Sequence, residues 1–266
     1  MRAETLRLLA GLVLALAMVL PLVPLGIWSV AHGWRFPDLL PQAWSAKAWS
    51  LALSERGGVV GSLGLTLGIA LATTALSALI GLPAGRALGL HDFRGKRAVL
   101  LLLLAPAILP GIALVLGLHD LFLRLGLVGS TGGVILAHLV PVLPYLTLVM
   151  AAVFAGFDTR IEEQARSLGA GPLRCFVNVT LPVVLPGLLT GALFAFLVSW
   201  SQYLLTLAIG GGRVQTLPLV LYSYAAAGRN DVAGAIAVLY VLPGVLILLL
   251  TARRLSAGQA GGVLRP

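Results

Sequence analysis

Few side chains in this 266-residue chain are able to make or break bonds: nine acidic residues, four histidines and one cysteine, Cys175. His138 stands inside a long apolar run, where an ionisable group is a functional candidate by default. A metal site would need further ligands grouped around it, and the sequence offers no such cluster. Gly129-Ser130-Thr131-Gly132 resembles the glycine-bounded serine an intramembrane protease would pair with a histidine, but it falls in an outer loop. A structural histidine bonded to a neighbouring helix is the favoured reading of His138. No G-x-x-x-x-G-K-[ST] occurs, so a P-loop for ATP is excluded. Gly210-Gly211-Gly212-Arg213 reads as a flexible outer turn and not as a phosphate cradle. Trp200-Ser201-Gln202-Tyr203 places polar groups at membrane depth, where they must face protein or a wet cavity. Bonding between helices and lining of a polar path are equally open for them, and His138 joins them as a path candidate. The expectation is a chain without catalytic, metal or cofactor residues of its own.

The elements that must position these residues are set by hydropathy. The chain is 59% hydrophobic and 10% charged, against roughly 25% charge in a soluble domain. Charge-free runs cover 8–34, 57–85, 98–119, 125–157, 175–212 and 232–252. Each is long enough for the roughly 20 residues a helix needs to cross the hydrocarbon core. In lipid every backbone group must be paired within its own segment, so such runs become helices; they do not alternate as barrel strands would. The expected fold is all-α, a polytopic membrane protein with six transmembrane helices. The first run is too long for a cleaved leader and has no convincing cleavage site after it, so it reads as a retained helix. With the N-terminus inside, Arg2, Arg7, Arg86, Arg94, Lys96, Arg97, Arg160, Arg166, Arg174, Arg253, Arg254 and Arg265 are cytoplasmic. Arg35, Lys47, Arg56, Arg124, Arg213 and Arg229 are then outside. That asymmetry favours cytoplasmic termini at both ends. The net charge of +9 fits attraction to the anionic inner leaflet better than nucleic acid, since no basic stripe with interleaved aromatics exists. Cys175 has no partner for an intrachain disulfide, which suits a reducing compartment.

Within the helices, Gly64 with Gly68, and Gly81 with Gly85 and Gly89, recur every four residues and would let helix backbones approach closely. Pro106 and Pro110 in the third helix, and Pro141 and Pro144 in the fourth, mark these two as the ones expected to bend. Trp34, Trp44 and Trp49 in the outer segment after the first helix suit the membrane–water boundary. The fifth helix is expected over about 186–209 and the sixth over about 232–252. No internal repeat is present, whereas secondary transporters often carry two related halves.

The cytoplasmic loop from Phe157 to Pro182 has its own local logic. Thr159 followed by Glu162 predicts a capping box and a helix start. Gly169 suits a left-handed stop, and Gly171-Pro172 suits a second start. Leu173, Phe176, Val177, Val179 and Thr180 give the second helix an apolar side, and Pro182 with Pro186 is expected to close the unit. Two short helices joined by a tight turn follow.

This loop resembles the EAA motif of ABC importer permeases. Glu163, Ala165, Gly169, Ala170, Phe176, Val179, Leu181 and Pro182 match its pattern, and Gln164 stands where the family usually has alanine. Phe93-Arg-Gly-Lys-Arg97, Ala105 to Gly111, His138 with Pro144-Tyr145, and Thr216-Leu-Pro218 extend the resemblance over roughly 58–252, toward the spermidine/putrescine-type branch. It implies a first helix and outer segment at 1–57, a permease core at 58–252 and a cytoplasmic tail at 253–266. It implies docking of the 157–182 loop, Glu162 and Glu163 included, into cytoplasmic ABC ATPase subunits that carry the ATP and magnesium. It further implies a homologous second permease, a heterodimer favoured over a homodimer, and a periplasmic solute-binding protein. The setting is the bacterial inner membrane and the solute is small and polar: polyamine, thiamine, phosphonate, iron or oxyanion. Ser201 and Gln202 are neutral where polyamine-type permeases often carry acids, which counts against a polycation. A secondary transporter or channel, or an intramembrane protease, is the alternative.

Overall fold

The computed structural model describes residues 2–34 and 37–262. Arg35 and Arg265 lie outside the described residues, as do residues 263–264 and 266 of the tail and the side chains of Arg2, Arg7, Arg253 and Arg254. The chain is almost entirely helical. Its helices are α1 (Arg2–Val19), α2 (Val23–Val30), α3 (Lys47–Leu53), α4 (Val59–Leu90), α5 (Lys96–Ile108), α6 (Gly111–Arg124) and α7 (Thr131–Ala155). There follow α8 (Arg160–Ser167), α9 (Pro172–Cys175), α10 (Leu181–Trp200), α11 (Leu204–Gly210), α12 (Leu217–Ala226) and α13 (Asn230–Gly262). The described strands are β1 (Ala31–His32) and β2 (Ala43–Trp44), paired antiparallel.

By length and apolarity, Val59–Leu90, Thr131–Ala155 and Pro172–Trp200 can each cross a membrane. The pair α5 and α6 qualifies together but bends by 106°. Leu20–Val30, Leu217–Ala226 and Asn230–Leu246 are shorter apolar helices. The charge-free runs are therefore mainly helical, but prolines and polar residues interrupt several of them. In the first run, Pro21 sits inside a 3₁₀ turn, Leu20–Leu22, between α1 and α2, and Pro24 lies in the first turn of α2. In the third, Leu109 is extended ahead of Pro110, because a residue before proline is driven out of the helical region. In the fourth, α7 runs unbroken over 25 residues with Pro141 and Pro144 inside it.

The chain forms two compact units, Met1–Gly64 with Thr216–Pro266 and Leu65–Gln215. In the first, α13 packs on α2, α3 and α12. A Cβ added at Gly234 would stand 2.8 Å from the Ser29 nitrogen and 2.9 Å from the Leu25 carbonyl oxygen, so α13 and α2 touch backbone to backbone. Trp28 stacks on Trp34 at 4.5 Å, and Trp34 donates its indole N–H to the Asp38 carbonyl. Helix α12 was not anticipated; Leu217 and Pro218 open it and both are buried.

In the second unit α7 is the central helix, packed by α10 and α11. One apolar cluster joins Ile69, Phe122, Val134, Ala137, Ile209 and Val214. The other joins Val142, Leu146, Met150, Phe154, Val184 and Ala195. Of the two glycine series on α4, one is used against α7. A Cβ on Gly81 would stand 2.7 Å from Leu146 Cδ2, and one on Gly89 2.6 Å from the Ala151 carbonyl oxygen. One on Gly85 would overlap Met150 Cβ. Gly64 and Gly68 have nothing within 4 Å of the same position. The close approach to α7 is thus made by the C-terminal part of α4.

Candidate functional site: the 157–182 loop and its anchor

The loop after α7 begins at Thr159, but not as a capping box. Thr159 is the N-cap of α8 and its side chain makes no cap bond. The local bond is instead from the Arg160 N–H to Asp158 Oδ1, 3.0 Å. Glu162 is unavailable to the cap because it turns inward. It is 4% exposed and accepts two parallel bonds from Arg86 on α4, Nη1 to Oε1 at 2.7 Å and Nη2 to Oε2 at 2.6 Å. This fork-to-fork geometry is the strongest form a carboxylate–guanidinium pair takes. The Thr180 hydroxyl donates to Oε1 at 2.5 Å, and Arg166, one turn along α8, lies 3.5 Å from Oε2. The Arg86 guanidinium sits over the Phe154 ring, 5.6 Å from its centroid, and Cys175 Sγ donates to the Glu162 carbonyl at 3.8 Å. The Arg86 hydrogen bonds hold the Glu162 carboxyl down at about 2, against burial that pushes it up, with help from Thr180 and the charges of Arg86 and Arg166.

Helix α8 stops at a Schellman turn. The Gly169 N–H bonds the Arg166 carbonyl at 2.9 Å and the Ala170 N–H bonds the Ala165 carbonyl at 3.0 Å, the paired pattern that closes a helix through a left-handed residue. Gly169 has φ +85°. Pro172 then opens α9 from an extended Gly171. The second short helix does not end at Pro182 as expected. It widens into a π-helical turn, Phe176–Thr180, and continues as α10. The Leu181 N–H reaches back to the Phe176 carbonyl. This wide turn shifts the hydrogen-bond register just where Pro182 cannot donate.

The loop therefore has two sides. Glu162, Cys175 and Thr180 are buried. Glu163 is exposed, Ala165, Ala170, Phe176 and Leu181 are half-buried, and Pro182 is exposed. Leu168 is 88% and Leu173 74% exposed at the tip. A cavity of about 470 Å³ lies behind the loop, between Leu79, Leu82, Pro83, Phe154, Pro172 and Phe176.

The second set of candidates lies elsewhere in the same unit. Trp200-Ser201-Gln202-Tyr203 is not the middle of a helix: α10 ends at Trp200 and α11 starts at Leu204. Trp200 is buried and stacks on Phe196 at 5.7 Å. Ser201 is exposed and donates to the Val198 carbonyl. Gln202 lines a cavity of about 200 Å³ with Pro106, Ala107, Pro141, Pro144 and Tyr145, and Tyr203 is half-buried. His138 is 1% exposed. Its Nδ1 pairs with Ser199 Oγ at 3.0 Å and its Nε2 with Thr206 Oγ1 at 2.9 Å, so it ties α7 to both α10 and α11. Ser130 is not brought to it: that hydroxyl caps α7, accepting from the Gly133 N–H and donating to the Leu127 carbonyl. No group of three or more potential metal ligands occurs among the described residues.

Sequence reasoning missed Arg86, Thr180, Ser199 and Thr206. Arg86 carried one signal, as the charge that ends the second apolar run on the side assigned to the loop. Ser199 and Thr206 carried none beyond being polar in an apolar run.

Comparisons with known proteins agree with this architecture. Residues 79–260 match the family described as binding-protein-dependent transport system inner membrane component. The putrescine transport system permease protein PotI of Escherichia coli strain K12 is 30% identical over 205 residues, 74% of this chain and 72% of that protein. The molybdenum transport system permease protein ModB of Mycobacterium tuberculosis strain H37Rv is 34% identical over 211 residues, 73% of this chain and 79% of that protein. A crystal structure of a bacterial ABC transporter involved in import of the acidic polysaccharide alginate contains a chain with the same fold. Its TM-score is 0.70 at 20% identity, covering 95% of this chain and 98% of that one. Family profile, relatives and fold converge, and this chain belongs to the binding-protein-dependent inner membrane components, the permeases of ABC importers.

Proposed function

We propose that this chain forms the solute pathway of an ATP-driven importer together with a second permease subunit, and that the 157–182 loop couples it to cytoplasmic ATPase subunits. The observation that carries the reading is the two-sidedness of the loop. One side is fastened to the protein by the buried Glu162. The other presents Leu168 and Leu173, 88% and 74% exposed, beside the free carboxylate of Glu163. Large apolar side chains that protrude from a rigid, capped turn call for a partner surface. A cleft on an ATPase accounts for both the leucines and the acid. The chain itself then does no bond chemistry; ATP and magnesium belong to the ATPases, and a periplasmic solute-binding protein delivers the solute. Both termini are cytoplasmic in this arrangement, and the second permease is a homologue rather than a copy.

The solute is a small polar molecule. The relatives named above carry putrescine and molybdenum in their names, so kinship alone does not choose among substrates. The neutral Ser201 and Gln202 argue against a polycation, which would need carboxylates at depth. The coupling reading is tested by purifying the tagged permease after co-expression with the ATPase encoded beside it. ATPase should co-purify with the wild type and be lost from Leu168→Glu, with unchanged permease in the membrane. Full retention of ATPase by Leu168→Glu would refute docking at this tip.

A further inference from the structure

The buried pair behind the loop does more than hold α8 in place. Glu162 receives a bond from each of two other elements: Arg86 on α4, and Thr180 at the end of the π turn that leads into α10. Both carboxylate oxygens are committed. The backbone of α8 packs on α9 and the π turn, whereas toward α4 lies the cavity of about 470 Å³ walled by Leu79, Leu82, Pro83, Phe154, Pro172 and Phe176. Across that gap the link is polar, through Arg86 and Glu162. Arg86 lies on the stretch of α4 whose Gly81, Gly85 and Gly89 are pressed against α7, so whatever displaces Arg86 displaces a rigid helix pair.

We propose that Arg86 is a positioning residue that makes the coupling helix α8, the inner end of α4 and the base of α10 move as one piece. This rests on the reading of the loop as the ATPase-coupling element. A force applied at the exposed tip of the loop reaches Glu162 within one or two helical turns. Breaking the Arg86–Glu162 fork would strip the buried Glu162 carboxylate of its two-point partner and leave it only Thr180 and, at 3.5 Å, Arg166, which is costly, so the fork stays closed while the loop moves. The motion then passes to α4 through Arg86 and to α10 through Thr180. The π turn next to Thr180 suits this role, since such turns mark points where a helix departs from its regular register. Arg166 cannot substitute, because it sits on α8 itself and spans no gap. Lysine cannot substitute fully, because a single ammonium does not reproduce two parallel bonds.

The test uses the complex with its ATPase subunits in lipid nanodiscs. Spin labels are placed at Ser167→Cys on α8 and Leu71→Cys on α4, in a Cys175→Ala background, and their separation is measured by pulsed electron resonance without nucleotide and with ATP plus vanadate. With Arg86 intact the separation should be the same in both states. In Arg86→Gln it should shift or broaden on nucleotide trapping by roughly 2 Å or more, the scale of interface helix shifts, with Arg86→Lys between the two. The double variant Arg86→Gln/Glu162→Gln leaves no unpaired buried charge to unfold the loop, and it should behave as Arg86→Gln. An unchanged separation in the double variant, with ATPase retained, would overturn the positioning role alone. Failure of the Arg86-intact complex to retain ATPase would overturn the coupling reading and this inference with it.

Discussion

Gly169 shows how much a single residue can decide. Its φ of +85° lies in the left-handed region, and an added Cβ would meet nothing within 4 Å. The requirement for glycine is therefore one of backbone conformation and not of space. A side chain there costs about 1–2 kcal/mol, spent on straightening the turn and re-aiming α9. Gly126, in the turn after α6, is also left-handed at φ +68° and equally open. It makes a matched control with the same strain outside the loop. Gly169→Val should reach the membrane at near wild-type level and retain little ATPase on purification, while Gly126→Val, equally strained, should retain it. Equal loss in both variants would assign the effect to folding.

At the scale of elements, the α4–α7 pair is held by the series Gly81, Gly85 and Gly89. A valine at Gly85 would drive its Cβ into Met150 and the Ala151 nitrogen, the latter at 3.0 Å. Overpacking of this kind costs about 1–3 kcal/mol. Gly85→Val should lower the melting temperature of the detergent-solubilised subunit, and Gly68→Ala, with open space around it, should not. Both series have the same spacing in the sequence, so spacing could not separate them; only the facing of α7 does. The prolines make the same point. Pro110 breaks a helix through the extended residue before it, but Pro141 and Pro144 stay inside α7, which its neighbours enclose on several sides. Pro182 is absorbed by the π turn before it.

For the whole molecule, the uneven distribution of arginine and lysine bears on orientation. Reporter fusions should be active on the outer side at Arg56, Arg124 and Arg213 and on the inner side at Gly95. A fusion within 157–182 that reports an outer location would remove the loop from the ATPase and end the coupling reading. The Arg86–Glu162 fork requires the end of α4 and the loop to lie on one side of the membrane, because they meet.

What the sequence determined by itself is the class of the protein and the place of its loop. Long charge-free runs have one stable solution in lipid, the helix, and Gly169, Gly171 and Pro172 specify their turn through local backbone geometry alone. Such features depend on neighbours a few residues away, so they can be read along the chain. The tertiary structure decided which acid faces inward. Glu162 and Glu163 are adjacent and chemically alike, and only the arrival of Arg86, 76 residues earlier in the chain, distinguishes the buried anchor from the exposed partner. It likewise decided that His138 is spent between Ser199 and Thr206, and that the polar tetrad is a break between helices. Each of these depends on groups far apart in sequence meeting where water is excluded. There a buried polar group must find its partner in three dimensions, and no pattern along the chain records which partner that will be.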